Sequence, residues 1–166
     1  IGLMGVLLAL MPVVAQLYGA GRLPEIGSQF RQGLWVALLL AVPGVLAMSN
    51  ASMWIALADP PAEVRPIVRH YLWAAAAGLP AALMFRVFYA VNTAVALPKV
   101  VMTANLAALA LKIPLNALFM YGAGPVPAFG GAGCGIATAM LFWANAIGVW
   151  VWMRRDRRFA PFAMHG

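Results

Sequence analysis

Three polar side chains, Asn105, Lys112 and Asn116, lie within one long apolar stretch and could together bind a small molecule or an ion. Residues 100–121 carry no charge other than Lys112. On a helix, positions that differ by four or seven residues lie close to one face, so all three side chains are expected to share it. Such a polar stripe either lines a cavity or holds neighbouring helices together. The sequence leaves both interpretations open.

Lys112 is the least expected of the three. A 22-residue helix is about as long as the ~30 Å hydrocarbon core of a bilayer is thick. A charge at that depth costs roughly 2.5–3.5 kcal/mol on insertion scales, so Lys112 is expected to face a bundle interior, a wet cavity or a carboxylate. The four acidic residues all lie outside the long apolar stretches: Glu25, Asp59, Glu63 and Asp156. We therefore expect its partner to come from outside this chain, unless Lys112 is hydrated or deprotonated.

Other polar residues in apolar stretches complete the candidate cavity set, namely Gln16, Thr138 and Asn145. Packing between helices is the alternative role for each. Catalytic and metal sites are not predicted, because His70, His165 and Cys134 form no motif and no nucleotide-binding or hydrolase pattern occurs. The glycines of 131–135 indicate close helix contact instead. The chain is therefore expected to be neither an enzyme nor cofactor-dependent.

The composition sets the class of protein. Of 166 residues, 64% are hydrophobic and 9% are charged, whereas soluble domains average about 25% charged residues. Too few polar residues remain to cover a water-facing surface, so an all-α integral membrane protein embedded in a lipid bilayer is predicted. The net charge of +7 does not indicate nucleic acid as a partner, because the basic residues are dispersed between apolar segments.

Five membrane spans are predicted from the uncharged stretches. Their approximate limits are 1–18, 33–58, 70–90, 100–121 and 132–153. The last two are separated at 122–131, where two prolines and several glycines disfavour a continuous helix. Prolines inside spans predict bent helices: Pro12, Pro43, Pro80 and Pro114.

The distribution of basic residues predicts the orientation of the spans. Only two of them, Arg65 and Arg69, fall on one side, both in segment 59–69, where Asp59 and Glu63 offset them. Segment 122–131 on the same side has no charge, so both segments are predicted to be periplasmic. Segments 19–32, 91–99 and 154–166 are predicted to be cytoplasmic, since eight basic residues lie in or beside them: Arg22, Arg31, Arg86, Lys99, Arg154, Arg155, Arg157 and Arg158. Residues 24–31 are expected to form either a short amphipathic helix on the membrane surface or a solvated turn.

Four segments, in order along the chain, carry a family resemblance. They are PVVAQLYGAGR at 12–22, RQG at 31–33, IPLNALFMYG at 113–122 and GGAGCGIATA at 130–139. Together they resemble the multidrug and toxic compound extrusion (MATE) transporters, and in particular the bacterial branch associated with norfloxacin efflux.

The resemblance implies twelve helices in two six-helix lobes around a central cavity, in a bacterial inner membrane. It also implies export of organic cations in exchange for Na⁺ or H⁺. Residues 1–158 then correspond to helices two to six of the amino-terminal lobe, and 159–166 lead toward a second lobe. The remaining partners are that lobe and an acid-bearing first helix of the same polypeptide.

Lys112 departs from the family pattern, in which an asparagine is frequent at this place. A cation here either repels cationic drugs, stands in for a bound ion, or pairs with the acid of the first helix. Two other functions remain open: a related flippase for a lipid-linked saccharide, whose anionic substrate suits a cationic groove, and a truncated product that does not transport.

Overall fold

The computed structural model describes residues 2–95, 98–122 and 129–155, and these residues form helices only. In chain order the helices are α1 (Gly2–Leu8), α2 (Leu10–Gly19), α3 (Leu23–Ser49), α4 (Ala51–Ala58), α5 (Arg65–Ala94), α6 (Pro98–Tyr121) and α7 (Gly131–Arg155). The predicted all-α class is confirmed. The predicted terminal segment 159–166 and most of the predicted loop 122–131 lie outside the described residues.

Four helices are long and apolar enough to cross a bilayer: α3, α5, α6 and α7. They contain or overlap the predicted spans 33–58, 70–90, 100–121 and 132–153. The segment predicted as the first span, 1–18, is instead divided between α1 and α2. Pro12 explains the division, because a proline lacks the N–H that would bond to the carbonyl of Leu8. The N–H of Ala9 donates to the carbonyl of Val6 at 3.3 Å, which closes a tight turn between the two helices.

Helix α3 begins ten residues before the predicted span 33–58, at Leu23. Ile26 and Phe30 are buried in its first turns, and the Phe30 ring packs against Phe88 with centroids 5.4 Å apart. Residues 24–31 are therefore the buried start of a long helix. Both expectations for this segment, a separate surface helix and a solvated turn, were wrong. Its apolar side chains face α5 rather than lipid, which their spacing alone does not specify.

Asn50 ends α3 inside the predicted span 33–58 and separates it from α4. Its side-chain amide donates to the carbonyl of Leu46 at 2.8 Å, and the Trp54 indole N–H donates to the carbonyl of Ala47 at 2.8 Å. Asparagine side chains compete with the backbone for such bonds and so favour helix ends. The two side chains satisfy carbonyls that the break would otherwise leave without donors.

Helix α5 is the centre of the bundle and contacts all of the other six described helices. Val87, Phe88 and Val91 on α5 are almost completely buried. The most extensive contact is between α5 and α7, where small residues let the backbones approach closely. A Cβ atom on Gly78 would lie 2.8 Å from the Cα atom of Ala139, and one on Gly135 would lie 3.0 Å from the Tyr71 ring. The prediction that the glycines of 131–135 serve close helix contact is confirmed.

Helix α6 is the least enclosed of the four long helices. It packs mainly against α7 and touches α5 only slightly. Large apolar side chains are exposed along most of its length: Met102, Leu106, Leu109, Leu111 and Ile113. The predicted polar stripe lies on this helix.

Candidate functional site

Two grooves run along α6, one between α5 and α6 and the other between α6 and α7. The α5–α6 groove has a volume of about 390 Å³, and the α6–α7 groove a volume of about 520 Å³. The first is lined by Tyr89, Thr93, Val101, Met102, Asn105, Leu106 and Leu109. The second is lined by Lys99, Thr103, Ala104, Ala107, Ala144, Asn145, Gly148, Val149 and Trp152.

The α5–α6 groove combines three polar side chains with an apolar wall. Asn105 lies on α6, opposite Tyr89 and Thr93 on α5. Tyr89 and Thr93 were not predicted as site residues, although their spacing of four residues places both on one helix face. An amide, a phenol and a hydroxyl supply both donors and acceptors, and a phenol ring can also bind an organic cation.

Lys112 lies two turns beyond Asn105 on approximately the same face of α6. Its side chain is exposed, and among the described residues its ammonium group makes no hydrogen bond or ion pair. Two of the three acids in the described ranges pair elsewhere: Glu25 contacts Arg22 at 2.5 Å and Asp59 contacts Arg65 at 3.1 Å. The described chain thus presents an unpaired cation on a membrane helix.

Asn116 lies one turn beyond Lys112, and Pro114 stands between them. Its side chain is half-buried, and its amide oxygen has no solvent access and no hydrogen-bond partner. A buried acceptor without a donor costs about 1–3 kcal/mol, which favours a donor supplied by a water molecule, a ligand or a further segment. Asn105, Lys112 and Asn116 therefore form one polar face, as their spacing predicts.

The other three candidate residues lie in different surroundings. Asn145 lines the α6–α7 groove. The Thr138 hydroxyl donates to the carbonyl of Cys134 at 2.8 Å, and its side chain lines a small pocket of about 170 Å³ among α3, α5 and α7. Gln16 is exposed on α2. Of the six candidates, only the three residues on α6 share one helix face, and of these three only Asn105 lines one of the two grooves.

One buried polar residue, Asn92, was missed because the third span was predicted to end at residue 90. Asn92 is 0% exposed, and its amide group donates to the carbonyl of Phe88 at 2.8 Å and contacts the sulfur of Met153 at 3.5 Å. Its own oxygen has no partner. This residue joins α5 to the far end of α7. Within the three described ranges, no group of three or more His, Cys, Asp or Glu side chains could hold a metal ion.

Comparison with known proteins agrees with the four sequence segments. The MatE family model matches residues 1–118. A probable multidrug resistance protein NorM of Neisseria meningitidis serogroup B is 38% identical over 165 residues, which is 97% of this chain and 35% of the relative. The corresponding protein of Aromatoleum aromaticum is 39% identical over 98% of this chain and 35% of its own length.

A third relative, the multidrug resistance protein NorM of Vibrio cholerae serotype O1, is 35% identical over 94% of this chain and 34% of its own length. In each case the similarity extends along almost all of α1 to α7. The chain spans about a third of the length of these curated relatives.

Proposed function

This chain belongs to the MatE family, and from that membership we propose that the polypeptide containing it exports cationic or amphipathic drugs and toxic metabolites. The observation that carries the proposal is the match to multidrug resistance proteins along nearly the whole chain. The predicted resemblance and the integral membrane class are confirmed by the same matches. The family consists of transporters rather than enzymes, as the sequence analysis expected.

The proposed mechanism is alternating access driven by Na⁺ or H⁺, without a resident cofactor. In this proposal the chain supplies helices two to six of the amino-terminal lobe, and the rest of the polypeptide supplies a first helix and a second lobe. Helix α6 is suited to move, because it packs mainly against one neighbour and Pro114 removes a backbone hydrogen bond at its centre. The bacterial relatives support an inner-membrane location.

We assign the first contacts with the substrate to the α5–α6 groove. Tyr89 offers a ring face to an organic cation, and Thr93 and Asn105 offer hydrogen bonds on either side of it. The apolar part of an amphipathic drug would lie against Leu106 and Leu109. The resulting site is mostly apolar with a few polar groups, as small-molecule sites generally are.

Lys112 does not line the α5–α6 groove, but it follows Leu109, which does, by three residues on α6, so its charge would act on a substrate that extends along the helix. Two like charges 4 Å apart repel by about 4 kcal/mol at an effective dielectric constant of 20. A cationic drug can therefore bind beside Lys112 only when a carboxylate pairs with the lysine. We propose that an acid from a helix outside this chain forms the pair, and that the driving ion displaces it during exchange.

A second candidate function follows from the same residue. An exposed cation without a partner in the described ranges would favour an anionic substrate, such as a lipid-linked saccharide moved by a flippase. The proposal of drug export rests on the relatives, whereas the flippase alternative rests on Lys112 alone. The two functions predict opposite charges for the transported molecule.

An ethidium efflux assay tests the proposal. Cells that express the complete natural polypeptide containing residues 1–166 are loaded with ethidium, and an inward Na⁺ or proton gradient is then imposed. Fluorescence should fall faster than in cells without the protein, and collapse of the driving gradient by a matching ionophore should abolish the difference. Absence of efflux under both gradients, together with transfer of a fluorescent lipid-linked saccharide in proteoliposomes, would support the flippase instead.

A further inference from the structure

A pocket of about 670 Å³ lies between α4 and the start of α5, and the proposed transport does not use it. It is richer in polar side chains than either groove along α6. The lining residues come from the end of α3, from α4, from the connection and from the first turns of α5: Ser49, Asn50, Ala51, Ser52, Ile55, Ala56, Asp59, Ala62, Arg65, Pro66, Arg69 and Trp73.

Two guanidinium groups face this pocket from one side of α5. Arg65 and Arg69 are four residues apart, so they lie one above the other at the start of the helix. Like charges at this spacing repel, and cations are also disfavoured at the positive end of a helix dipole. An anion bound between the two side chains would reduce both the repulsion between them and the unfavourable interaction with the helix dipole.

The two arginines differ in their hydrogen-bond and ion-pair partners. Arg65 contacts Asp59 at 3.1 Å, and its Nε atom donates to the carbonyl of Pro60 at 3.1 Å. Arg69 is exposed, and within the described part of the chain it makes no hydrogen bond or ion pair. The five N–H donors of a guanidinium group match the oxygens of a phosphate, which they bind in a fork. The guanidinium group of Arg69 is therefore available to bind an anion.

The residues that line the pocket indicate what kind of molecule the anionic group belongs to. The lining combines polar residues, such as Asn50 and Ser52, with the apolar residues Ile55 and Ala56. Trp73 follows one turn after Arg69, toward the apolar part of α5, and is 57% exposed. Tryptophan is typical of the boundary between headgroups and hydrocarbon in membrane proteins. The pocket therefore matches an anion attached to an apolar chain.

We propose that this pocket binds the phosphate group of a membrane phospholipid. The phosphate oxygens accept hydrogen bonds from Arg69, and an acyl chain runs along Ile55 and Trp73. Arg65 contributes less charge, because it is already paired with Asp59, a carboxylate that also lines the pocket. The leaflet is the one on the α4 side, which the basic residues predict to be the outer one. The proposal does not depend on drug export, since it uses neither groove along α6.

A binding titration on the complete natural polypeptide containing residues 1–166, purified in detergent, tests the site. The probe is dioctanoyl-phosphatidylglycerol, and binding is followed by native mass spectrometry. Loss of one charge-assisted phosphate contact should weaken the affinity of Arg69→Gln about tenfold. Arg69→Lys, which keeps the charge, should lose less, and Arg155→Gln, an exposed arginine at the other end of the bundle, should bind as the parent does.

One further variant and two further ligands identify the molecule that supplies the anion and separate loss of the site from misfolding of a variant. Ser52→Trp fills the pocket from the opposite wall without changing the charge, and it should also weaken lipid binding. Dioctanoylglycerol, which lacks the phosphate, should not bind this pocket, and inorganic phosphate should bind much more weakly than the lipid. Equal affinities for Arg69→Gln and Arg155→Gln would overturn the proposal, and so would inorganic phosphate that binds as tightly as the lipid.

Discussion

A lysine on the exposed face of a membrane helix needs a partner, and the described residues supply none for Lys112. Because the insertion cost of a lone cation is roughly 2.5–3.5 kcal/mol, a carboxylate from elsewhere in the polypeptide would recover much of it. The buried oxygen of Asn116 one turn away has no donor either. This face of α6 therefore carries a cation and a buried acceptor that have no partners among the described residues.

Substitution of Lys112 tests whether that charge takes part in exchange. In the complete natural polypeptide, we expect Lys112→Asn to lower ion-driven ethidium efflux about tenfold, since one charge-assisted contact is worth at least ~1.5 kcal/mol. Lys112→Arg should retain most of the rate because it keeps the charge. Ala110→Asn, which places an amide at a similar depth on the opposite face of α6, is the control. Unchanged coupling and transport in Lys112→Asn would show that the lysine has no role in exchange.

The face shared by Asn105, Lys112 and Asn116 could be predicted from spacing, because helix geometry alone sets which side chains lie together. Tyr89 and Thr93 could not, because their place opposite Asn105 depends on how α5 packs beside α6. Asn92 was missed for a local reason. The stretch was predicted to end at residue 90, although the helix continues to Ala94. Gln16, Thr138 and Asn145 are also polar residues within apolar stretches. Their positions in the sequence do not show that they lie apart from the α6 face, because this depends on how the helices pack.

At the scale of helices, apolar length predicted where four long helices lie but not where helices break. The break at Ala9 follows from Pro12, and the break at Asn50 follows from side chains that bond to the carbonyls of Leu46 and Ala47. A hydropathy profile does not show which backbone carbonyl groups will accept hydrogen bonds from side chains. The buried start of α3 was missed for a similar reason, since Ile26 and Phe30 fit a membrane surface and a protein core equally well.

The α6–α7 hairpin depends on Gly133. A Cβ atom there would overlap the carbonyl of Phe119, whose oxygen accepts a hydrogen bond from the N–H of Phe129 at 3.0 Å and so cannot move freely. We expect Gly133→Ala to destabilise the protein by about 1–3 kcal/mol through overpacking, measured as a melting temperature several degrees lower.

The matched control for this prediction is Gly148→Ala on the same helix. Nothing lies within 4 Å of a Cβ atom built on Gly148. The added methyl group should therefore cause no clash and should favour the helix by roughly 0.5–1 kcal/mol. Equal melting temperatures for the two variants would contradict the close approach of α7 to the end of α6.

At the scale of the whole molecule, the bundle is built around α5, while α6 stands at its edge with both a polar face and many exposed apolar side chains. Lipid can cover the apolar side chains, but it cannot satisfy Lys112. This asymmetry agrees with a chain that spans about a third of the length of its relatives, in which the polar face of α6 is the part that another segment would meet.

The orientation of the bundle is predicted from the basic residues, and labelling of single cysteines tests it. In the complete natural polypeptide, Cys134 and every cysteine outside residues 1–166 are first replaced by alanine. A cysteine is then introduced at one of two exposed loop positions, Ala20→Cys or Ala62→Cys. Because eight basic residues lie on the side of Ala20, the positive-inside rule predicts that a membrane-impermeant maleimide labels only Ala62→Cys in intact cells. Ala20→Cys should become reactive once the cells are permeabilised, which shows that its thiol is accessible. Labelling of Ala20→Cys in intact cells would show that the bundle has the opposite orientation. The pocket at Arg69 would then face the inner leaflet.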